Sequence, residues 1–151
     1  MKNMVILFVM LLSMAGLTAC VSANANAPNT SSENNTTIEM KLDENYDDTD
    51  PFINERLFCV SEDLSTLTAE GTFEMDGESG ILEVKDNKTK EVLWSNTWEG
   101  SVKSEIFSIS LENLKKETEY AMSFTGTKIS YATIGISFES DLVQEREEPL
   151  R

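Results

Sequence analysis

Two cysteines carry the only thiols of this 151-residue chain, and Cys20 has the more informative surroundings. The stretch Leu17-Thr18-Ala19 places one apolar and two small side chains directly before this soft nucleophile. Upstream lie Lys2 and an apolar run over residues 4–12, followed by further small residues. A basic start, a short apolar core and a small-residue end are typical of a secretory leader. The run is too short to cross a bilayer, which takes about 20 residues.

The stretch Leu17-Thr18-Ala19-Cys20 resembles the lipobox of bacterial lipoproteins. That resemblance implies that the Cys20 thiol receives a diacylglyceryl group and that a signal peptidase cuts between Ala19 and Cys20. Residues 1–19 would then be lost, and the chain would be anchored outside the cytoplasm to the bacterial cell membrane. Each buried CH₂ of an acyl chain such as palmitate contributes about 0.8 kcal/mol to membrane binding. Two acyl chains therefore anchor a protein stably, whereas a single chain binds it only marginally.

The overall charge limits the partners of the chain. It has 27 acidic and 12 basic residues, a net charge of −15, and loss of Lys2 with the leader makes it one unit more negative. Such a balance repels nucleic acid, so no nucleic-acid partner is expected. The chain has no histidine, which argues against Ser-His-Asp catalysis and the usual zinc sites. We therefore expect neither an enzyme nor a metal, and no cofactor besides the covalent lipid.

Residues 20–51 are polar and acidic, which predicts a flexible tether between the lipid and a folded domain. A calcium site is the competing interpretation, because the first three ligand positions of an EF-hand loop are matched by Asp43, Asn45 and Asp47. The pattern then fails, since Asp48 replaces the turn glycine and Asn54 replaces the bidentate glutamate. A solvated acidic linker is the better interpretation.

Apolar and polar residues alternate through residues 52–139, which predicts half-buried antiparallel strands separated by turns. We predict about seven strands, at residues 56–61, 65–75, 80–86, 91–98, 104–111, 118–126 and 129–139. A two-sheet β-sandwich accommodates this number of short strands. Residues 140–151 are predicted to be a charged, solvated tail. Alternation also occurs further upstream, which leaves open a short added strand with Ile38, Met40 and Leu42.

The sequence around Tyr120 resembles a corner of fibronectin type III domains with the pattern Leu-x-Pro-Gly-Thr-x-Tyr. Leu114, Thr118 and Tyr120 match that pattern, whereas Lys116 and Glu117 replace its proline and glycine. The resemblance implies an immunoglobulin-like sandwich in which the Tyr120 hydroxyl bonds to upstream backbone. A jelly roll is the alternative fold. Neither fold implies an activity, because such sandwiches carry many functions.

Trp94 and Trp98 are the candidate ligand-binding residues, because side chains four apart on a strand share one face. If both were exposed, they could form a platform for a sugar ring. Core packing is favoured, with Trp94 fully buried in phase with Val92 and Trp98 partly covered beside a turn. The expected function is therefore an interaction module for a protein or envelope component, and the alternative is a carbohydrate-binding module.

Cys59 has no intramolecular thiol partner once Cys20 is acylated. A thiol of this kind can be reactive or form an intermolecular disulfide. Cys59 lies within the apolar run Leu57-Phe58-Cys59-Val60, so we predict that it is buried as a small hydrophobic residue.

Overall fold

A computed structural model of the chain describes residues 35–42 and 51–147. The described residues include no helix that is long and apolar enough to cross a membrane. They form nine β-strands: β1 Thr37–Leu42, β2 Phe52–Val60, β3 Leu64–Asp76, β4 Ser79–Asp86, β5 Val92–Glu99, β6 Val102–Leu114, β7 Glu119–Thr127, β8 Tyr131–Phe138 and β9 Val143–Arg146.

The strands form two antiparallel sheets. One has four strands in the order β1-β8-β3-β6, and the other has five in the order β5-β4-β7-β2-β9. The predicted all-β, two-sheet sandwich is confirmed, with more strands than the seven that were expected. The predicted leader, the lipobox-like stretch and the acidic residues 43–50 lie outside the described residues.

Alternating side chains from the two sheets meet in one apolar core, as the period of two predicts. Phe58 of β2 packs on Phe138 of β8 with ring centroids 5.2 Å apart. Phe73 of β3 packs on Phe124 of β7 at 5.8 Å. All four rings are fully buried. Burying a large apolar side chain contributes about 1.5–3 kcal/mol, so these cross-sheet contacts hold the two layers together.

Strand β1 corrects the predicted start of the domain, because it lies within the segment assigned to the tether. It pairs antiparallel with β8, and Ile38, Met40 and Leu42 are all buried in the core. Burial of three apolar side chains on one face, together with pairing to β8 along all six residues, stabilises the ordered strand. The open alternative of an added edge strand is the arrangement found.

Strand β9 corrects the other boundary, because it lies within the predicted solvated tail. It pairs with β2, with Val143 opposite Val60, and both side chains are buried. The Ser61 N–H also donates to the Leu142 carbonyl at 2.9 Å. The free edge of β2 and the apolar Val143 together explain why this charged segment is ordered. Two strands therefore follow β7, where the fibronectin-like pattern implies one.

Cys59 is free and 5 % exposed, in agreement with the prediction of burial. It alternates with the core residues Phe58 and Val60, so its thiol lies on the opposite side of β2 from their side chains. Arg146 of β9 is its neighbour there, with Nη1 3.6 Å from the sulfur.

Candidate functional site

A β-bulge in β5 separates Val92 from the two tryptophans. Val84 of β4 pairs with Trp94, but the next residue, Lys85, pairs with Val92, so Leu93 is the extra residue. Leu93 packs against the core and Val92 is exposed. The predicted common face of Val92 and Trp94 is therefore wrong, because the bulge breaks the alternation between them.

Trp98 is a core residue. It is 6 % exposed, and its ring stacks on Phe73 of the opposite sheet with centroids 4.1 Å apart. Its indole Nε1–H donates to Glu105 Oε1 at 2.9 Å, so the polar atom is satisfied. Gly80 is the residue opposite Trp98 on β4, and a Cβ there would lie 2.8 Å from Phe124 Cε2 and 2.9 Å from Met75 Sδ. The Trp98 side chain fixes the β5–β6 end of the sandwich.

Trp94 is only partly buried. It stacks on Phe107 of β6 with centroids 5.8 Å apart and an interplanar angle of 18°. Trp98 meets the same Phe107 ring edge-on at 5.2 Å. The order of burial is the reverse of the predicted one, and that prediction was wrong. The two tryptophans do not form the platform for a sugar ring that the alternative interpretation requires, because Trp98 is buried in the core.

Phe107 and Gly71 belong to this aromatic cluster and were not singled out from the sequence. A Cβ on Gly71 would lie 2.2 Å from Phe107 Cζ, so the ring occupies the space that a side chain would need. The signal was present: Gly71 interrupts the inward series of β3 between Ala69 and Phe73. A glycine at an inward strand position indicates close approach of another group.

Tyr120 forms the second site that the sequence singled out. It is buried, and its hydroxyl accepts a hydrogen bond from the Lys115 N–H at 2.7 Å. Leu114 is buried and Thr118 is half-buried, so the three residues of the pattern come together at the β6–β7 turn. Glu117 has a φ of 58°, the left-handed conformation that the glycine of the fibronectin pattern adopts without strain.

Asp63 supports the same turn from the β2–β3 loop. Its carboxylate accepts from the Lys116 N–H at 2.8 Å and from Lys115 Nζ at 3.3 Å. The bond from the Lys116 backbone, followed by the bond from Lys115, holds the pKa of Asp63 below its usual value. Asp63 thus holds the turn through the ammonium group of Lys115 and the backbone N–H of Lys116.

A polar groove of about 300 Å³ lies beside this corner, between the β4–β5 turn and the β6–β7 turn. Its charged lining residues are Asp86, Glu91, Glu112 and Lys115. Asp86 accepts hydrogen bonds from the backbone of Thr89 and Lys88 in its own turn, and the Thr89 bond is the main cause of its lowered pKa. No acidic cluster among the described residues is placed to hold a metal ion.

Exposed apolar residues concentrate on the outer face of the five-stranded sheet. Ile53 of β2 and Ile81 of β4 lie on either side of Thr125 in one row of the sheet, and Thr97 continues that row on β5. Ile53 is 61 % exposed and Ile81 is 36 % exposed. We call Ile53, Thr125, Ile81 and Thr97 the isoleucine row.

Small residues form the centre of the same face. Ala121 and Ser123 of β7 point away from the core, yet both are buried beneath the longer side chains of β2 and β4. Lys85 and Glu83 of β4 pair with each other at 2.5 Å and are mostly covered. The face is therefore shallow, with much of its local charge already paired. Such a surface suits a broad, flat contact better than a small ligand.

The geometry defines an all-β sandwich that has an aromatic cluster around Phe107 and the isoleucine row on the outer face of the five-stranded sheet. Residues 20–150 match the family described as Domain of unknown function (DUF4624), and the chain belongs to that family. A comparison with curated proteins gives no match. Ala19 and Cys20, the predicted cleavage and lipidation residues, lie outside the described residues.

Proposed function

We propose that the protein is a lipid-anchored, extracytoplasmic interaction module that binds another protein and catalyses no reaction. The isoleucine row is the observation that carries the binding proposal, because it exposes two large aliphatic side chains on a flat surface near one end of the five-stranded sheet. Exposed apolar groups of this kind commonly mark interaction sites when they lie together. The chain's acidity favours a partner with positive charge around its own apolar contact surface.

The anchor rests on the stretch Leu17-Thr18-Ala19-Cys20. The family match begins at residue 20, the cysteine that would become the first residue after cleavage, which supports removal of residues 1–19. Lipid on Cys20 would hold the sandwich at a membrane through the intervening polar segment.

Cys20→Ala should abolish lipid attachment, because only the cysteine thiol can form the thioether. Labelling cells with a radioactive fatty acid and isolating the protein measures this directly. The parent should carry label, and Cys59→Ala is the matched control that should also retain it, since Cys59 is buried in the sandwich. Label on the Cys20→Ala protein would refute the anchor.

Changing the isoleucine row should remove partner binding while leaving the fold intact. In Ile53→Asp/Ile81→Asp, two charges would have to be buried at the contact, and we expect capture of the partner from native membranes to fall about tenfold or more. Thr66→Asp, an exposed position on β3 of the other sheet, is the control. Urea denaturation of all three proteins checks stability. Equal capture by the double variant and the parent would contradict the proposal.

A carbohydrate-binding module is the second candidate, favoured by one observation: Trp94 is partly accessible beside Phe107. Aromatic faces of this kind can stack on sugar rings. Affinity electrophoresis against soluble polysaccharides separates the two candidates. Retention of the parent that is lost in Trp94→Ala but kept in Ile53→Asp/Ile81→Asp would favour the glycan and overturn the protein-binding proposal.

A further inference from the structure

Strand β6 is a long strand at the edge of the four-stranded sheet. It spans 13 residues and pairs with β3. Among the described residues no strand pairs with its other edge. An edge strand presents a row of backbone N–H and C=O groups that another strand can pair with.

The middle of β6 lacks the devices that usually block such pairing. Residues 106–111, Ile-Phe-Ser-Ile-Ser-Leu, contain no charge, no proline and no glycine. Ile106 is 68 % exposed on the outer face. Proteins commonly protect edges with lysine, proline or bulges, and an uncharged segment of this length without proline favours pairing between strands.

Irregularities and charges occur at both ends of β6 instead. The register with β3 shifts between the pairs Phe73–Glu105 and Met75–Val102. At the other end Asn113 has a φ of 56°. Glu105 and Glu112 flank the uncharged residues. These features limit regular pairing to the segment between them.

We propose that β6 pairs antiparallel with β6 of a second copy of this chain, with Ser108 facing Ser108 at the two-fold axis. Directly opposed residues in an antiparallel pair lie on the same face, so Ile106 would oppose Ser110 of the other copy. Glu105 would oppose Leu111, and Glu112 would oppose Ser104. This register therefore sets no two like charges directly against each other.

The absence of charge distinguishes this segment from the other surfaces at which two copies could meet. The chain carries a net charge of −15, so most of its surfaces repel a second copy. Residues 106–111 supply an uncharged segment to which this repulsion applies least. The half-buried Phe107 lies on the same edge strand and would be covered further by the second copy. The proposal uses the four-stranded sheet and is independent of the isoleucine row on the other sheet.

Disulfide trapping of the full-length lipidated protein in detergent tests the register. Ser108→Cys should form a covalent dimer under mild oxidation, because facing Cβ atoms would lie about 4.5–5.5 Å apart. Thr72→Cys, on the next strand of the same sheet, is the matched control; its two copies would be about 20 Å apart, three strand spacings across and four residues along, and should not cross-link. The parent protein measures any background from buried Cys59.

A second pair of variants fixes the strand direction. Ile106→Cys and Ser110→Cys should each cross-link poorly alone, whereas the double variant should form the dimer efficiently. Ser108→Lys should shift the protein to monomer in light scattering, because two ammonium groups would meet at the axis, while Thr72→Lys should not. An uncross-linked Ser108→Cys protein, equal cross-linking at residue 72, or a disulfide to a different protein would each overturn the proposal.

Discussion

Replacing Trp98 with alanine should lower the free energy of unfolding by about 3–5 kcal/mol, the usual cost of truncating a large core aromatic. Trp98 is almost fully buried, stacks on Phe73 of the opposite sheet and touches Phe107. Its removal would leave a cavity where the two sheets meet, and the remaining rings are too constrained by their own contacts to fill it.

Trp94→Ala is the matched control, because it removes the same side chain from the same face of the same strand. Trp94 is only partly buried, so its loss should be smaller. Urea denaturation curves of both variants and the parent give the free energies if the slopes agree. A larger loss for Trp94→Ala than for Trp98→Ala would contradict the burial described for the two rings.

Ile38→Ala should lower the free energy of unfolding by about 2–5 kcal/mol, as expected for a fully buried aliphatic side chain. Ile38 is 0 % exposed and lies opposite Ile136 of β8, although the composition around it is that of a linker. The loss measures how strongly β1 belongs to the sandwich.

The neighbouring Glu39→Ala is the control for this prediction. Glu39 is exposed on the opposite side of β1, and its ion pair with Lys41 is solvated, so the variant should unfold within about 0.5 kcal/mol of the parent. Identical denaturation midpoints for Ile38→Ala and the parent would mean that β1 adds no stability, which is the behaviour of a tether.

Alternation alone predicted the central strands well, because a period of two is a local property of the sequence. The predicted strand 65–75 corresponds to β3 Leu64–Asp76, and the predicted 80–86 corresponds to β4 Ser79–Asp86. The outer strands β1 and β9 were harder, because each is short and embedded in polar sequence. β1 becomes ordered by pairing with the free edge of β8, and β9 by pairing with the free edge of β2. Each partner strand is distant in the sequence from the strand that it pairs with.

The candidate site was only partly predictable for a related reason. Alternation correctly assigned Trp94 and Trp98 to one face. It could not show the bulge at Leu93, which puts Val92 on the other face and becomes visible only in the pairing with β4. Which tryptophan is covered depends on Phe73 and Phe107, on other strands. The corner pattern was local, and the hydroxyl of Tyr120 does bond to upstream backbone, at Lys115.

The position of β1 has a mechanical consequence. The chain before residue 35 joins the sandwich through this six-residue edge strand, so tension carried by the N-terminal segment reaches the fold through β1. Its hydrogen bonds to β8 run across the strands, and a pull along the strand axis loads them together in shear, whereas a sideways pull opens them one at a time. Detachment would also draw Ile38, Met40 and Leu42 out of the core. The first strand therefore acts as a mechanical clamp whose resistance depends on the direction of the load.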